Sequence, residues 1–207
     1  MYERSLGYNL ERTFALEAVC MNKQVAVAIL MLAIGTAGTA VAAPAQAKPD
    51  QKPTFATSNV EKEVVPAADA MPEDKFNFAP TQGEFKGVRT FAQQVKHIAA
   101  ANYMLGAGIL GEKPPIDLKG ESGPENITSK ADVMKFLKDS FAYAHKAANS
   151  IDENNVLALA PSPFGGPNKV TRLALAISMV SHPQDHYGQM VEYLRMNNII
   201  PPASRKP

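Results

Sequence analysis

Residues 170–202 read VTRLALAISMVSHPQDHYGQMVEYLRMNNIIPP, and the fold turns on how this stretch is understood. Val170, Leu173, Ile177, Val180, Tyr187, Val191 and Leu194 recur at steps of three, four and seven, the period of a helix with one apolar side. Those seven residues are the expected buried side of a single long helix. Asn197-Asn198 and Pro201-Pro202 stop it. Pro183 lies inside, where it removes a backbone donor and biases His182 away from helical backbone, so a kink or bulge is expected there.

Working back towards the N-terminus, a Pro/Gly-rich loop spans Pro161 to Pro167. Ser129, three residues before Asp132, opens an earlier helix whose stripe is Val133, Leu137, Phe141, Ala144 and Ala148. Before it, residues 111–127 are crowded with glycine and proline and make an excursion between helices. Val88, Phe91, Val95, Ile98, Asn102, Leu105 and Ile109 mark another helix, ended by Gly111 and Pro114-Pro115. A loop pinned by Phe76 and Phe78 precedes that one. The first helical pattern, residues 59–71, holds Val60, Val64, Val65, Ala68 and Met71, with Pro66 inside it. It follows a Pro/Lys/Thr-rich segment, 48–57, expected as a flexible lead. Four amphipathic helices with no alternating strand pattern predict an all-α, antiparallel four-helix bundle over residues 58–202, with 203–207 as a tail.

Composition narrows the partners. In 207 residues, 21 Lys+Arg stand against 20 Asp+Glu with no block of like charge, so neither nucleic acid nor an anionic membrane is an expected partner. Cys20 is the only cysteine, which excludes an intramolecular disulfide and a cysteine-based metal knuckle. Met21 to Ala47 has a polar start with Lys23, an uncharged run from Val25 to Ala43 and the small-residue ending Ala45-Gln46-Ala47, the layout of a secretory signal peptide cut after Ala47. Met1 to Cys20 carries Glu3, Glu11 and Glu17 and is read as an upstream extension, with Met21 as initiator. The expected location is therefore periplasmic or secreted, with no stable membrane anchor after cleavage. The mature chain would hold no cysteine, which suits an oxidising compartment.

Without cysteines, a metal would have to be held by histidine and carboxylate. His182 and His186 are four apart, so one helix face carries both imidazoles. His97 sits beside the apolar stripe of the second helix and could supply a third ligand from across the bundle. Three imidazoles leave coordination positions open for water, the arrangement used when the ion does chemistry. The spacing alone is equally that of an ordinary polar pair. His145, four after Phe141, has no His or carboxylate at i±3 or i±4 and is read as a satisfied, partly buried residue. Gln189, three past His186, is a candidate to orient a ligand. Asp185 reads as a solvated charge, and Gly188 as a place where helices approach closely.

The segment His182-Pro183-Gln184-Asp185-His186-Tyr187-Gly188-Gln189, with Pro201-Pro202 behind it, resembles the closing helix of the DinB/YfiT-like metal-binding bundle proteins and their His-x-x-x-His-x-Gly-Gln pattern. Residues 91–102, with His97, look like that family's segment carrying the remaining histidine, and Phe78-Ala79-Pro80 is similar to the loop before it. The resemblance covers roughly residues 59–202. It implies a four-helix bundle holding a divalent metal, zinc or nickel, through His97, His182 and His186. It also implies an activity of metal-dependent hydrolase or thiol S-transferase type acting on a small-molecule substrate. Export lowers the thiol reading, since reduced low-molecular-weight thiols are scarce outside the cytosol. Two alternatives stand beside it: a non-catalytic metal- or ligand-binding bundle, and a structural or interaction protein with no metal. A homodimer is an alternative to a lone chain.

Overall fold

The computed structural model describes residues 54–206. The expected upstream extension and signal peptide, and the lead as far as residue 53, lie outside the described residues. Four helices dominate: α1 (Thr54–Ala70), α2 (Phe91–Leu110), α3 (Lys130–Asn149) and α4 (Arg172–Met196). A two-stranded antiparallel hairpin, β1 (Leu159–Pro161) and β2 (Lys169–Thr171), pairs Ala160 with Val170. No strand was expected; a three-residue ladder is too short to show a period of two, and its glycine-rich tip read as loop. Helix α1 begins at Thr54, inside the segment expected to be a flexible lead, and Thr57 is buried.

The all-α four-helix bundle is borne out, and contacts between named residues give the helix directions. Helix α1 packs on α3 and α4, and α2 packs on the same two, so consecutive helices α1 and α2 stand diagonally. Tyr193 meets Arg89, Gln189 meets Gln94 and Leu175 lies against Gly108, so α2 and α4 are antiparallel. Asn102 meets Ser140, Gly106 lies under Tyr143 and Lys146 reaches Glu112 just past α2, so α2 and α3 run parallel. Glu61 meets His145 and Asp69 meets Lys130, so α1 opposes α3. The order is up-down-down-up, a departure from the uniformly antiparallel neighbours expected. Residues 111–129 allow it: such a segment can extend about 60 Å, and the 20-residue α2 it must retrace is only about 30 Å long.

Local chemistry sets where α2 and α4, the two helices that carry the histidines singled out from the sequence, begin. The amides of Phe91 and Ala92 donate to the carbonyls of Phe78 and Phe76, and those of Arg172 and Leu173 to Ala158 and Val156. Thr90 and Gln93 close a reciprocal capping box on α2, and Thr171 caps α4 by accepting from the amide of Ala174. Phe76 is buried edge-on to Phe91, and Phe78 meets Tyr193, so the loop is pinned as expected. Gly111, at φ 71°, ends α2.

The stripes expected on α3 are all buried, as are those of α2 from Phe91 onward. On α4 the expectation holds for Leu194 and, half-buried, for Val180 and Tyr187, but fails in the first turns. Leu173 and Ile177 are 41% and 58% exposed, and the buried face is Leu175, Met179, Pro183, His186, Met190, Tyr193 and Leu194. The sequence offers apolar residues on two overlapping faces, and the bundle buries the one that carries the histidines. Helix α4 also continues through Pro183 without a bulge, the ring lying in the buried face. The close helix approach occurs at Gly106, where an added Cβ would stand 2.8 Å from the Tyr143 ring, whereas Gly188 faces open space.

Candidate metal centre

The core falls into two apolar clusters. On α4, Met179 belongs to one and Met190 to the other, and His182 and His186 lie in the gap between them. On α2, His97 lies between Val95 and Ile98, both buried in one of those clusters, so the histidines are set among apolar core residues. The three rings meet there. Centroids of His97 and His182 are 4.9 Å apart, of His97 and His186 4.6 Å, and of His182 and His186 4.6 Å. Each pair meets edge to face. One nitrogen from each ring lies within 4.8 Å of the others, and among the described residues no carboxylate or cysteine joins the cluster.

Hydrogen bonds decide which nitrogens are left. Asp185 can only accept, so the Nε2 of Gln189, 3.2 Å away, must donate to it. The Oε1 of Gln189 then accepts from the Nε2 of Gln94 at 2.8 Å, which turns the Oε1 of Gln94 towards His186. That oxygen lies 2.7 Å from Nδ1 of His186, so Nδ1 carries the proton and Nε2 keeps a bare lone pair. One carboxylate thus fixes the polarity of three side chains beyond it. For His97 the same result comes from backbone: its Nδ1 donates to the carbonyl of Glu121 at 2.8 Å. Glu121 lies in a 3-10 turn, Gly120–Ser122, within the excursion after α2. His182 has a buried Nε2 with no hydrogen-bond partner.

Electrostatics favours uncharged rings. Burial holds the pKa of all three histidines below the ordinary 6.5, and for His186 burial together with the neighbouring His182 and His97 brings it down to about 4. The positive charge of Arg89 is felt at each ring in the same direction. Neutral imidazoles with inward lone pairs are what a divalent cation of zinc or nickel type takes as ligands. The residues therefore fit such an ion. The orphaned Nε2 of His182 is the atom that most needs one, since a buried polar atom without a partner is costly.

Of the residues singled out from sequence, His97, His182 and His186 are brought together. Gln189 makes no hydrogen bond to a histidine among the described residues; it acts through Gln94, which the sequence reading missed. Gln94 is three residues before His97 on one helix, so helical spacing places it on the same face. The Glu121 carbonyl had no signal, because any residue type supplies one. Asp185 is exposed as expected, yet ends the hydrogen-bonded chain. His145 is satisfied by Glu61, its Nε2 2.6 Å from the carboxylate across the α1–α3 contact. Beside the cluster opens a cavity of about 1230 Å3, lined by Gln94, which bonds to His186, and by Gln189, Arg89 and Tyr193.

Comparison with known proteins agrees with this fold. The family model of the DinB superfamily matches residues 56–190. A crystal structure of a DinB-like protein from Bacillus subtilis is similar over 74% of this chain and 99% of its own, with TM-score 0.56 and 16% identity. A DinB-like protein from Bacillus cereus covers 72% of this chain and 90% of its own, with TM-score 0.50 and 16% identity. Among curated proteins no match to this chain is found. With a family match that spans most of the bundle and a fold shared with two DinB-like structures, this chain belongs to the DinB superfamily.

Proposed function

We propose that the bundle holds one divalent metal ion through His97, His182 and His186 and uses it on a small-molecule substrate, as a hydrolase. The observation that carries this reading is the cluster itself: three nitrogens within 4.8 Å, two rings turned by their Nδ1 bonds and the third with a buried, unpartnered Nε2. A structural or interaction role gives no reason for such convergence, because each ring would do better bonded to its own neighbour. A three-ligand set also favours chemistry over a closed structural site, which uses four protein ligands. When bound, the ion would supply a water of lowered pKa and polarise a substrate carbonyl or phosphoryl oxygen.

The chain's own residues then have separate tasks. Gln94 and the Glu121 carbonyl hold two rings in the orientation that aims Nε2 inward. The apolar residues packed around them keep the rings uncharged and limit water. Zinc or nickel suits the all-imidazole donor set. We place the mature chain outside the cytosol on the composition of residues 21–47, which favours hydrolysis over transfer to a reduced thiol.

Elemental analysis of the purified full chain tests the site. About one zinc or nickel per chain is expected, and His186→Ala is expected to lose most of it at unchanged helical content by circular dichroism. Equal metal in both proteins would defeat the assignment.

A further inference from the structure

Beside the three-histidine cluster, the large cavity carries an asymmetric set of charges. Of its basic residues, Lys96 is occupied, its Nζ donating to the carbonyl of Pro124 at 2.7 Å, and burial holds its pKa below the ordinary lysine value, with the charge of Glu125 opposing that shift in part. Of its acidic residues, Glu192 is paired with Arg195 at 2.9 Å. Arg89 has no such partner: its guanidinium makes no hydrogen bond or ion pair among the described residues, although it lines the cavity and is only partly exposed. Its backbone is nevertheless held firmly. The hydroxyl of Tyr193 donates to the Arg89 carbonyl at 3.1 Å, and the next residue, Thr90, is locked into the capping box of α2. A fixed backbone with an unengaged guanidinium is a cation kept for something outside the chain. The wall also has an apolar part, with Phe85, Val88 and Met196 all at least a third exposed.

We propose that this cavity binds a substrate carrying a carboxylate on an apolar body, with Arg89 taking the carboxylate in a two-pronged hydrogen bond. The proposal rests on the reading of the histidine cluster as the reacting centre, since it names what the neighbouring cavity delivers to it. A planar guanidinium matches a carboxylate or a phosphate equally in shape. The choice falls to charge: Glu125 stands in the same wall and repels a phosphate dianion more strongly than a singly charged carboxylate, whereas Glu192 is balanced by Arg195. The exposed Phe85, Val88 and Met196 then cover the hydrocarbon part, which gains from leaving water.

Titration calorimetry of the full chain as purified, near pH 7.5, tests this with three probes: 4-phenylbutyrate, its neutral amide and phenyl phosphate. The acid is expected to bind about tenfold or more tightly than the amide, and more tightly than phenyl phosphate. Arg89→Gln should weaken the acid by about tenfold or more and leave the amide unchanged, with Arg89→Lys in between. Binding of acid and amide with equal strength by the unaltered protein, which needs no variant, would overturn the proposal. So would an Arg89→Gln protein that holds the acid as well as before, or a preference for phenyl phosphate. Metal content of the same sample separates the two readings. Arg89-dependent binding in a protein free of metal supports the carboxylate site while removing the metal centre. A loaded centre with Arg89-independent binding does the reverse.

Discussion

At the scale of single residues, the centre depends on who holds each imidazole. Gln94 is 3% exposed and is the only side chain hydrogen-bonded to a histidine of the cluster among the described residues. Gln94→Leu keeps the volume and removes the acceptor, so Nδ1–H of His186 is buried without a partner at a cost of about 1–3 kcal/mol. Metal affinity should fall by roughly 10–100-fold, read by competition with a chromophoric chelator. Asp185→Asn should do much less, because Asp185 is exposed and its bond to Gln189 is long at 3.2 Å. The reverse ranking, with Asp185 mattering more than Gln94, would refute the chain of bonds drawn here. Helical spacing made Gln94 discoverable from sequence. Nothing could have revealed the Glu121 carbonyl, because a backbone acceptor leaves no mark on residue identity.

At the scale of elements, α4 shows how a proline can sit inside a helix that works. Pro183 lacks the amide that would bond one turn back, a loss of about 3 kcal/mol against alanine in a helix interior, and its buried ring returns only part of that. Pro183→Ala is therefore expected to raise stability by about 1 kcal/mol in urea unfolding while leaving metal content unchanged. A variant that loses its metal would mean the proline sets the bearing of His182. The start of α2 is a second test. Thr90→Ala removes one arm of the capping box and should cost about 1 kcal/mol by the same measurement. The sequence made Ser129, Gly111 and the stripes of α2 and α3 legible, since caps and periodicity are local. The buried face of α4 was not, because Leu173 and Ile177 compete with Leu175 and Met179 for burial and only the neighbouring helices choose between them.

For the whole molecule, the three uncharged histidines make stability depend on pH. Their folded-state pKa values lie below 6.5, down to about 4 for His186, so as pH falls below 6.5 the unfolded chain takes up protons that the folded chain refuses. Their contribution is complete above about pH 6.5 and is lost progressively towards pH 4. Thermal melts of chelator-treated protein should show the midpoint dropping across that window, and a flat profile would contradict buried neutral rings. Adding zinc at pH 7.5 should raise the midpoint, and a chelator should reverse it, because an ion bound to the folded state alone stabilises by mass action. By itself the sequence determined the helices, the ends of most of them, and the spacing that puts His182 and His186 on one face, all consequences of contacts a few residues apart. Only the tertiary structure decided that α2 and α3 run parallel, that His97 arrives at the same point and that Asp185 sets the polarity of His186 through two amides. Those outcomes depend on groups from 34 to 95 residues apart along the chain, and no local pattern encodes which distant surface a helix will meet.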